Sequence, residues 1–295
     1  MNHRFPPIIF CLAALLGTIR SAEAVDMYVS NSSNGTISKI DGSATVTTFA
    51  SGLSTPRGVA FDQTGNLYVA NAIASGTISK IDPAGTVSTF ATGLNNPNGL
   101  AFDSAGYLYV ANGASNTIAK VDTSGNVSTF ATGLNAPRGL AFDQSGNLYV
   151  SQGNNTIAKV DGGGTVTTFV SSGISSPQGL AFDTAGYLYV AESTAGKVQK
   201  VDSSGTVSAF ATGLGFPVGI AFGASGDLFA ANNSGALSIL QITPGGSSST
   251  FVSGLNSPTY LAFAPVIVPE PSTMILAALA SGALCMVARK RAMRG

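Results

Sequence analysis

Two sets of mostly polar side chains recur at fixed positions along the sequence, and their chemistry suits a binding site. The first set directly follows a repeated proline and consists of Arg57, Asn98, Arg138, Gln178, Val218 and Thr259. The second set ends a repeated apolar segment and consists of Asn31, Asn71, Asn112, Gln152, Glu192 and Asn232. Guanidinium and amide groups donate hydrogen bonds to carboxylates and hydroxyls, whereas carboxylate and amide oxygens are ligands for Ca²⁺. The residue types therefore allow a site for a polar or acidic ligand, or a cation site.

Glu192 is the only acidic residue in the two sets. A single carboxylate supplies little charge for a Ca²⁺ site, so we favour an interpretation in which Glu192 and the amides bond to neighbouring loops. Other chemistry is excluded by composition, because the sequence between residues 25 and 265 has no cysteine and no histidine. It therefore has no Cys/His zinc site, no cysteine nucleophile and no Ser-His-Asp triad. We predict no catalytic residue and no cofactor, with Ca²⁺ at Glu192 as the alternative.

The composition predicts short strands and tight turns. The chain has 295 residues, of which 36 are glycine and only 9% are charged, and it has no tryptophan. Between residues 25 and 267 it has eight basic and twelve acidic residues, a formal charge of −4. A mildly acidic body without a basic stripe argues against a nucleic acid partner.

The elements that must position these residues form a repeat. Its prolines are spaced by 40 or 41 residues and are Pro56, Pro97, Pro137, Pro177, Pro217 and Pro258. Each unit has four strand-like segments, such as GLAFD, LYVAN, TIAKVD and VSTFAT in residues 97–134, and each type occurs six times. This period with four strands is typical of propeller blades, so we predict an all-β, six-bladed propeller over residues 25–265. The array begins with the second strand type and ends with the first, so one blade is completed by both ends and leaves no open edge. We therefore expect a monomer.

Alternating strand directions place both residue sets on one face of the ring. The loops that leave the second strands and those that enter the first strands lie on the same side, which we call the upper face. Polar groups gathered around a central opening form the default binding site of such a ring. The aromatic residues that recur once in three of the four strands are predicted to pack between blades.

The units PRGVAFDQTGNLYVANAIASGTISKID and PNGLAFDSAGYLYVANGASNTIAKVD resemble NHL repeats and related six-bladed propellers. That resemblance implies a fold more than a function, since such propellers include ligand-binding modules, lactone hydrolases and lyases. NHL units usually carry aspartate where this chain has Asn71 and Asn112, and a histidine that is missing here. Lactonase-type propellers hold a divalent cation, and propeller lyases rely on a histidine.

The two ends of the chain read as targeting segments. Residues 1–24 have a basic start, a short apolar run and an Ala-Glu-Ala site, typical of a cleaved signal peptide. Near the C-terminus, the motif Val268-Pro269-Glu270-Pro271-Ser272 precedes an apolar stretch over residues 274–288 and then Arg289, Lys290 and Arg291. This order resembles the PEP-CTERM sorting tail, which implies recognition by an exosortase-type enzyme. We predict a transmembrane helix over residues 274–288, and the basic residues that follow it are expected to hold the end of the chain in the cytoplasm.

These observations predict an exported binding or scaffold propeller rather than an enzyme. We expect the Sec machinery to export it and an exosortase-type enzyme to process residues 266–295. Its destination would be the cell surface, the outer membrane or the extracellular matrix, and its partner an exopolysaccharide or another surface protein. The alternative is a cation-dependent lactonase or related hydrolase that uses Glu192.

Overall fold

A computed structural model describes residues 26–265 as a ring of six four-stranded antiparallel sheets. The prediction of an all-β, six-bladed propeller is confirmed. The predicted signal peptide and sorting tail, with its apolar stretch, lie outside the described residues. Between residues 26 and 265, no helix has the length and hydrophobicity needed to cross a membrane.

The blades are numbered 1 to 6 along the chain, and the strands of the first three are as follows. Blade 1 contains β1 (Met27–Asn31), β2 (Thr36–Ile40), β3 (Val46–Ala50) and, from the other end of the chain, β24 (Pro258–Phe263). Blade 2 contains β4 (Pro56–Phe61), β5 (Leu67–Asn71), β6 (Gly76–Ile81) and β7 (Val87–Leu94). Blade 3 contains β8 (Pro97–Phe102), β9 (Leu108–Asn112), β10 (Thr117–Val121) and β11 (Val127–Ala131), with a short 3-10 helix at Gly113–Ser115.

The other three blades repeat this order. Blade 4 contains β12 (Leu140–Phe142), β13 (Leu148–Ser151), β14 (Ile157–Val160) and β15 (Val166–Val170). Blade 5 contains β16 (Pro177–Phe182), β17 (Leu188–Glu192), β18 (Lys197–Val201) and β19 (Val207–Ala211). Blade 6 contains β20 (Pro217–Phe222), β21 (Leu228–Asn232), β22 (Ser238–Ile242) and β23 (Ser248–Val252). The strand that follows the repeated proline is the first strand of its blade, and neighbouring first strands contact each other around the centre.

Asp-x-x-Gly turns join the first and second strands of blades 2 to 5. In blade 2, the amide of Gly65 donates to the carbonyl of Asp62, and the Asp62 carboxylate accepts the amides of Thr64 and Asn66 at 2.9 Å each. Gly65 has a φ of 85°, a left-handed conformation that glycine adopts without a Cβ penalty. These turns lie on the face opposite the upper face, which we call the lower face.

The first blade closes the ring. β24 pairs with β1 so that Phe263 lies opposite Met27, and the amide of Ala264 donates to the carbonyl of Asp26. The two ends of the described chain are therefore held in one sheet, as the repeat order predicts.

Aromatic side chains pack between neighbouring blades. Tyr28 lies between Phe49 of its own blade, at 4.8 Å between ring centroids, and Phe61 of the next blade, at 5.0 Å. Both pairs are edge-to-face, the arrangement that aromatic quadrupoles favour. The same contact recurs around the ring, and Phe263 completes it against Phe229. These aromatic rings belong to the hydrophobic core between the blades, as predicted.

Candidate functional site

A cavity of about 570 Å³ lies at the centre of the upper face. All six residues of the first set line it, namely Arg57, Asn98, Arg138, Gln178, Val218 and Thr259. Loop residues and two aromatic side chains, Phe216 and Tyr260, complete its wall. Its size falls in the range of small-molecule sites.

β-Bulges direct the first set toward this cavity. In blade 2, the two residues Arg57 and Gly58 oppose the single residue Ala70 of the second strand. Equivalent shifts occur in blades 1, 3, 5 and 6. In blade 4, strand pairing starts only at Leu140, and the amide of Arg138 donates to the carbonyl of Ser151 at 2.9 Å. An extra residue in a strand changes the direction of its side chain, which is how these five blades turn their first-set residue toward the centre.

Glycine follows five of the six first-set residues because neighbouring first strands approach closely there. A Cβ atom at Gly58 would lie 2.2 Å from the carbonyl oxygen of Asn98, and one at Gly99 would lie 2.4 Å from that of Arg138. The corresponding glycines of blades 4, 5 and 6 are Gly139, Gly179 and Gly219. In blade 1 the same position is occupied by Tyr260, whose side chain lines the cavity and packs against the core beside it.

The cavity carries positive charge. Arg57 and Arg138 both line it, and within the described part of the chain none of its lining residues is acidic. Nη1 of Arg57 donates to Oδ1 of Asn98 at 2.5 Å, and Nη1 of Arg138 donates to the carbonyl of Pro177 at 3.4 Å. Neither bond neutralises a guanidinium, so both charges remain available to an anionic ligand.

Tyr260 is a neutral hydroxyl donor at this site. Burial raises its pKa to about 12, although the positive charges of Arg57 and Arg138 act in the opposite direction. Tyr260, Arg57 and Arg138 all line the same cavity. Since the tyrosine stays protonated near neutral pH, and the other lining residues carry hydroxyl, amide, guanidinium or apolar groups, the cavity offers hydrogen-bond donors rather than a proton acceptor.

The second set lies outside the cavity and holds its loops in place. Oδ1 of Asn71 accepts the amide of Ser54 at 3.2 Å, and its Nδ2 donates to Thr77 and Ser79 at 2.9 Å each. Equivalent side-chain oxygens accept a loop amide just before the repeated proline of the same blade, in Asn31, Asn112, Gln152, Glu192 and Asn232. All six are buried. They position the loops that lead into the first strands.

Glu192 does not have the surroundings of a Ca²⁺ ligand. Its Oε1 accepts the amide of Ser175 at 2.8 Å, and its Oε2 lies 3.2 Å from Nζ of Lys197. The carboxylate is fully buried. Among residues 26–265, no three His, Cys, Asp or Glu side chains are grouped so that they could share a metal ion. A cation here would compete with a lysine already beside the carboxylate, and the described part of the chain groups no further acidic ligands around it.

The two aromatic cavity residues, Phe216 and Tyr260, were not predicted because they depart from the repeat. A signal for each is present in the sequence. Tyr260 stands where the other units have glycine, and Phe216 stands where they have Thr, Asn, Ala or Ser before the proline. In a repeat protein, such departures mark positions that serve one blade only.

Solved structures that resemble this chain are propellers of several kinds. A virginiamycin B lyase from Staphylococcus aureus is 22% identical with a TM-score of 0.58, over 70% of this chain and 73% of that one. A chain of a nidogen/laminin complex is 18% identical with a TM-score of 0.71, over 83% and 100%. A gluconolactonase from Xanthomonas campestris is 20% identical with a TM-score of 0.62, over 71% and 84%. No curated protein sequence matches the chain. At these identities the structures support the fold alone.

Family models match both the body and the tail. The PEP-CTERM protein-sorting motif matches residues 268–292, which confirms the resemblance of the tail and includes Val268 to Ser272. The virginiamycin B lyase family model matches residues 13–240, which is more than half of the chain. The chain therefore belongs to the virginiamycin B lyase family of propellers and carries a PEP-CTERM sorting motif at its C-terminal end.

Proposed function

We propose that this chain is an exported surface propeller that binds an acidic polymer in its central cavity and catalyses no reaction on it. The observation that carries the proposal is the pair Arg57 and Arg138, which line one cavity whose wall contains no acidic side chain from residues 26–265. These two are also the only arginines between residues 25 and 265. Guanidinium groups bind carboxylates in a planar, two-bonded geometry, so a carboxylate-bearing ligand suits the site.

The C-terminal sorting tail supports a location at the cell surface. The PEP-CTERM motif indicates an exported protein sorted by an exosortase-type system toward the cell surface. The last strand ends at Phe263 on the lower face, and the motif begins at residue 268. So short a connection would keep the lower face near the membrane while the tail is inserted, with the cavity facing away from it toward matrix polymers.

A binding role agrees with the donors in the cavity better than an enzymatic role does. Elimination and hydrolysis both need a group that accepts a proton, and the propeller lyases that this chain resembles use a histidine. The only histidine here is His3, in the predicted signal peptide. The alternative of a cation-dependent lactonase would need Glu192 to exchange Lys197 and the Ser175 amide for a metal ion.

The test is binding of the purified chain to acidic exopolysaccharide from its own host. The variant Arg57→Gln with Arg138→Gln removes both cavity charges. Each charge-assisted hydrogen bond contributes about 1.5–3 kcal/mol, and 1.4 kcal/mol is tenfold in affinity, so we expect at least about 100-fold weaker binding. The matched control is Lys80→Gln with Lys159→Gln, which removes the same charge from the lower face and should change the affinity less than about threefold.

Two outcomes would contradict the proposal. One is equal binding by the cavity variant and the unmodified chain, with both shown to be folded by circular dichroism. The other is equal loss of binding in the cavity variant and the lower-face control, which would indicate attraction by overall charge rather than a site. Lactone hydrolysis that depends on added Ca²⁺ and is lost in Glu192→Gln would favour the alternative.

A further inference from the structure

The wall of the central cavity has a polar side and an aromatic side. Four consecutive blades, 2 to 5, contribute Arg57, Asn98, Arg138 and Gln178. The remaining two blades contribute both aromatic lining residues, Phe216 from blade 6 and Tyr260 from blade 1, together with Val218 and the uncharged polar residues Ser32, Asn233 and Thr259. Both guanidinium groups therefore lie on one side of the cavity and both aromatic rings on the other, which suits a ligand that has a charged group and an apolar face.

The aromatic side is built by local departures from the repeat. The residue before the repeated proline has a left-handed backbone in the other five blades, with φ between 39° and 55°, but Phe216 is not among these positive-φ residues. Asn232 accordingly accepts the amide of Phe216 itself, at 2.6 Å, whereas its counterpart Asn71 accepts the amide two residues before the proline. The preceding Gly215 permits this path, since a Cβ atom there would lie 2.4 Å from Oγ of Ser234.

Tyr260 is the second departure, and its surroundings fix it. Oγ of Ser30 accepts the Tyr260 amide at 3.0 Å and lies 2.8 Å from Oγ1 of Thr259. Oγ1 of Thr259 also donates to the carbonyl of Pro56 at 3.1 Å. The ring packs on one side against the core cluster that contains Val59 and lines the cavity on the other. This buried network fixes the backbone of residues 259 and 260, and it therefore holds the Tyr260 ring in place beside the cavity.

We propose that the cavity recognises a uronic acid residue of a polysaccharide, a proposal that rests on the proposed function of the same site. A uronate has a carboxylate for Arg57 and Arg138, ring hydroxyls for Asn98 and Gln178, and an apolar face of C–H groups. The negative faces of aromatic rings attract such C–H groups, so the sugar face would lie against Tyr260 and Phe216. The protonated Tyr260 hydroxyl adds a donor toward the carboxylate.

Four probes separate the contribution of the sugar ring from that of the carboxylate charge. Trigalacturonate carries all the recognised groups, its methyl ester lacks the charge, maltotriose is a neutral sugar, and tricarballylate carries carboxylates without a ring. Isothermal titration of the chain at fixed ionic strength should show trigalacturonate binding at least about tenfold more tightly than each of the other three. Saturation-transfer NMR should show magnetisation passing from aromatic protein protons to the sugar C–H groups.

Variants of the aromatic side test stacking directly. Tyr260→Leu and Phe216→Leu should each weaken trigalacturonate binding by about fivefold to tenfold, while tricarballylate binding changes less than about twofold. Tyr260→Phe keeps the ring and should lose less than about threefold, as expected for the loss of one neutral hydroxyl donor. Thermal melts identify any variant that fails to fold, and Tyr260→Phe then keeps the test decisive.

The outcomes distinguish this proposal from the one on which it rests. If tricarballylate binds as tightly as trigalacturonate, or both leucine variants bind the sugar unchanged, the uronate proposal is wrong while arginine-dependent anion binding still stands. If another acidic polymer binds through Arg57 and Arg138 but trigalacturonate does not, the ligand class is wrong and the site is right. If no acidic ligand binds, both proposals are wrong.

Discussion

The lower and upper faces of the ring are built on opposite principles. On the lower face, blade after blade repeats the same aspartate turn, such as that of Asp62, in which one carboxylate caps two amides. On the upper face, the residue presented to the centre changes from each blade to the next, from Arg57 to Asn98 to Arg138. A feature that repeats serves the fold, because each blade needs it equally. A residue that differs between equivalent positions of the blades serves recognition, because a ligand bound on the axis contacts each blade with a different part of its surface.

The two faces also differ in charge. Eleven aspartates and five lysines lie at the lower ends of the strands, a formal charge of −6. The upper ends carry Arg57, Arg138 and Lys197 against Glu192, a formal charge of +2. A polyanion is therefore attracted to the cavity and repelled from the opposite face, which favours approach along the axis from above.

The largest effect on stability is expected from opening the ring. A chain that stops at residue 257 lacks β24, leaving blade 1 with three strands and Phe229 without its partner Phe263. We expect loss of the cooperative thermal transition, measured by circular dichroism, because an unpaired edge and an exposed core replace a closed sheet. A chain that stops at residue 265 keeps every strand and is the control. Equal melting temperatures for the two truncations would contradict closure by β24.

The second-largest effect on stability is expected from substitution of a glycine that recurs in the first strands. Gly99→Ala places a Cβ atom 2.4 Å from the carbonyl oxygen of Arg138, so neighbouring first strands must move apart. We expect a loss of about 1–3 kcal/mol in the free energy of unfolding, measured by urea denaturation. Gly162→Ala is the matched control, since nothing lies within 4 Å of its Cβ position, and should change stability by less than about 0.5 kcal/mol. A loss in Gly162→Ala as large as that in Gly99→Ala would sink the close-approach argument.

A lower-face turn should have a smaller, pH-dependent effect. Partial burial raises the pKa of Asp62, but hydrogen bonds from Asn66 and Thr64 outweigh it and hold the pKa below its ordinary value. A lowered folded-state pKa gives stability that is present above the unfolded value of about 3.9 and is lost as the pH falls through the folded value. We expect Asp62→Ala to cost about 1 kcal/mol at pH 7, after allowance for solvent screening.

The pH dependence provides the check on that turn. Stability of Asp62→Ala relative to the unmodified chain should be measured by urea denaturation from pH 7 down to pH 3. The difference should shrink below about pH 4, where protonation removes the same hydrogen bonds from the unmodified chain. A difference that stays constant over this range would mean that the carboxylate charge does not stabilise the turn.

The repeated part of this architecture can be predicted from the sequence because repetition averages out local ambiguity. Six copies of each strand type predict the blades, and the order of types at the two ends predicts the closure that β24 and β1 make. The first set is predictable as well, since a residue that follows the proline of the central strand lies at the ring's axis.

The structural role of the second set could not be predicted from the sequence. Asn71 and Glu192 end second strands, one strand away from the axis, and whether such a side chain points inward depends on the bulge opposite it and on the path of the next loop. That path is itself fixed by hydrogen bonds such as that from the Ser54 amide to Asn71. Tyr260 and Phe216 are visible in the sequence as exceptions, but only the closed ring brings them beside the two arginines.

The double arginine variant should have the smallest effect on stability, although it should have the largest effect on ligand binding. Arg57→Gln with Arg138→Gln removes no apolar core contact and leaves the aspartate turns intact. We expect it to change the free energy of unfolding by less than about 0.5 kcal/mol. A larger loss, measured by urea denaturation, would mean that the upper face also serves the fold and would weaken the contrast between the two faces.

Arginine-selective NMR tests the central claim most directly. A chain of residues 25–265 contains every strand of the closed ring and only two arginines, so a ¹⁵N-arginine sample should give two side-chain Nε–H cross-peaks, both from the cavity. Titration with trigalacturonate or host exopolysaccharide should shift both peaks in parallel with the fraction bound, and the shifts should be absent with maltotriose. Binding detected by calorimetry while both arginine peaks stay unmoved would contradict recognition by the central cavity.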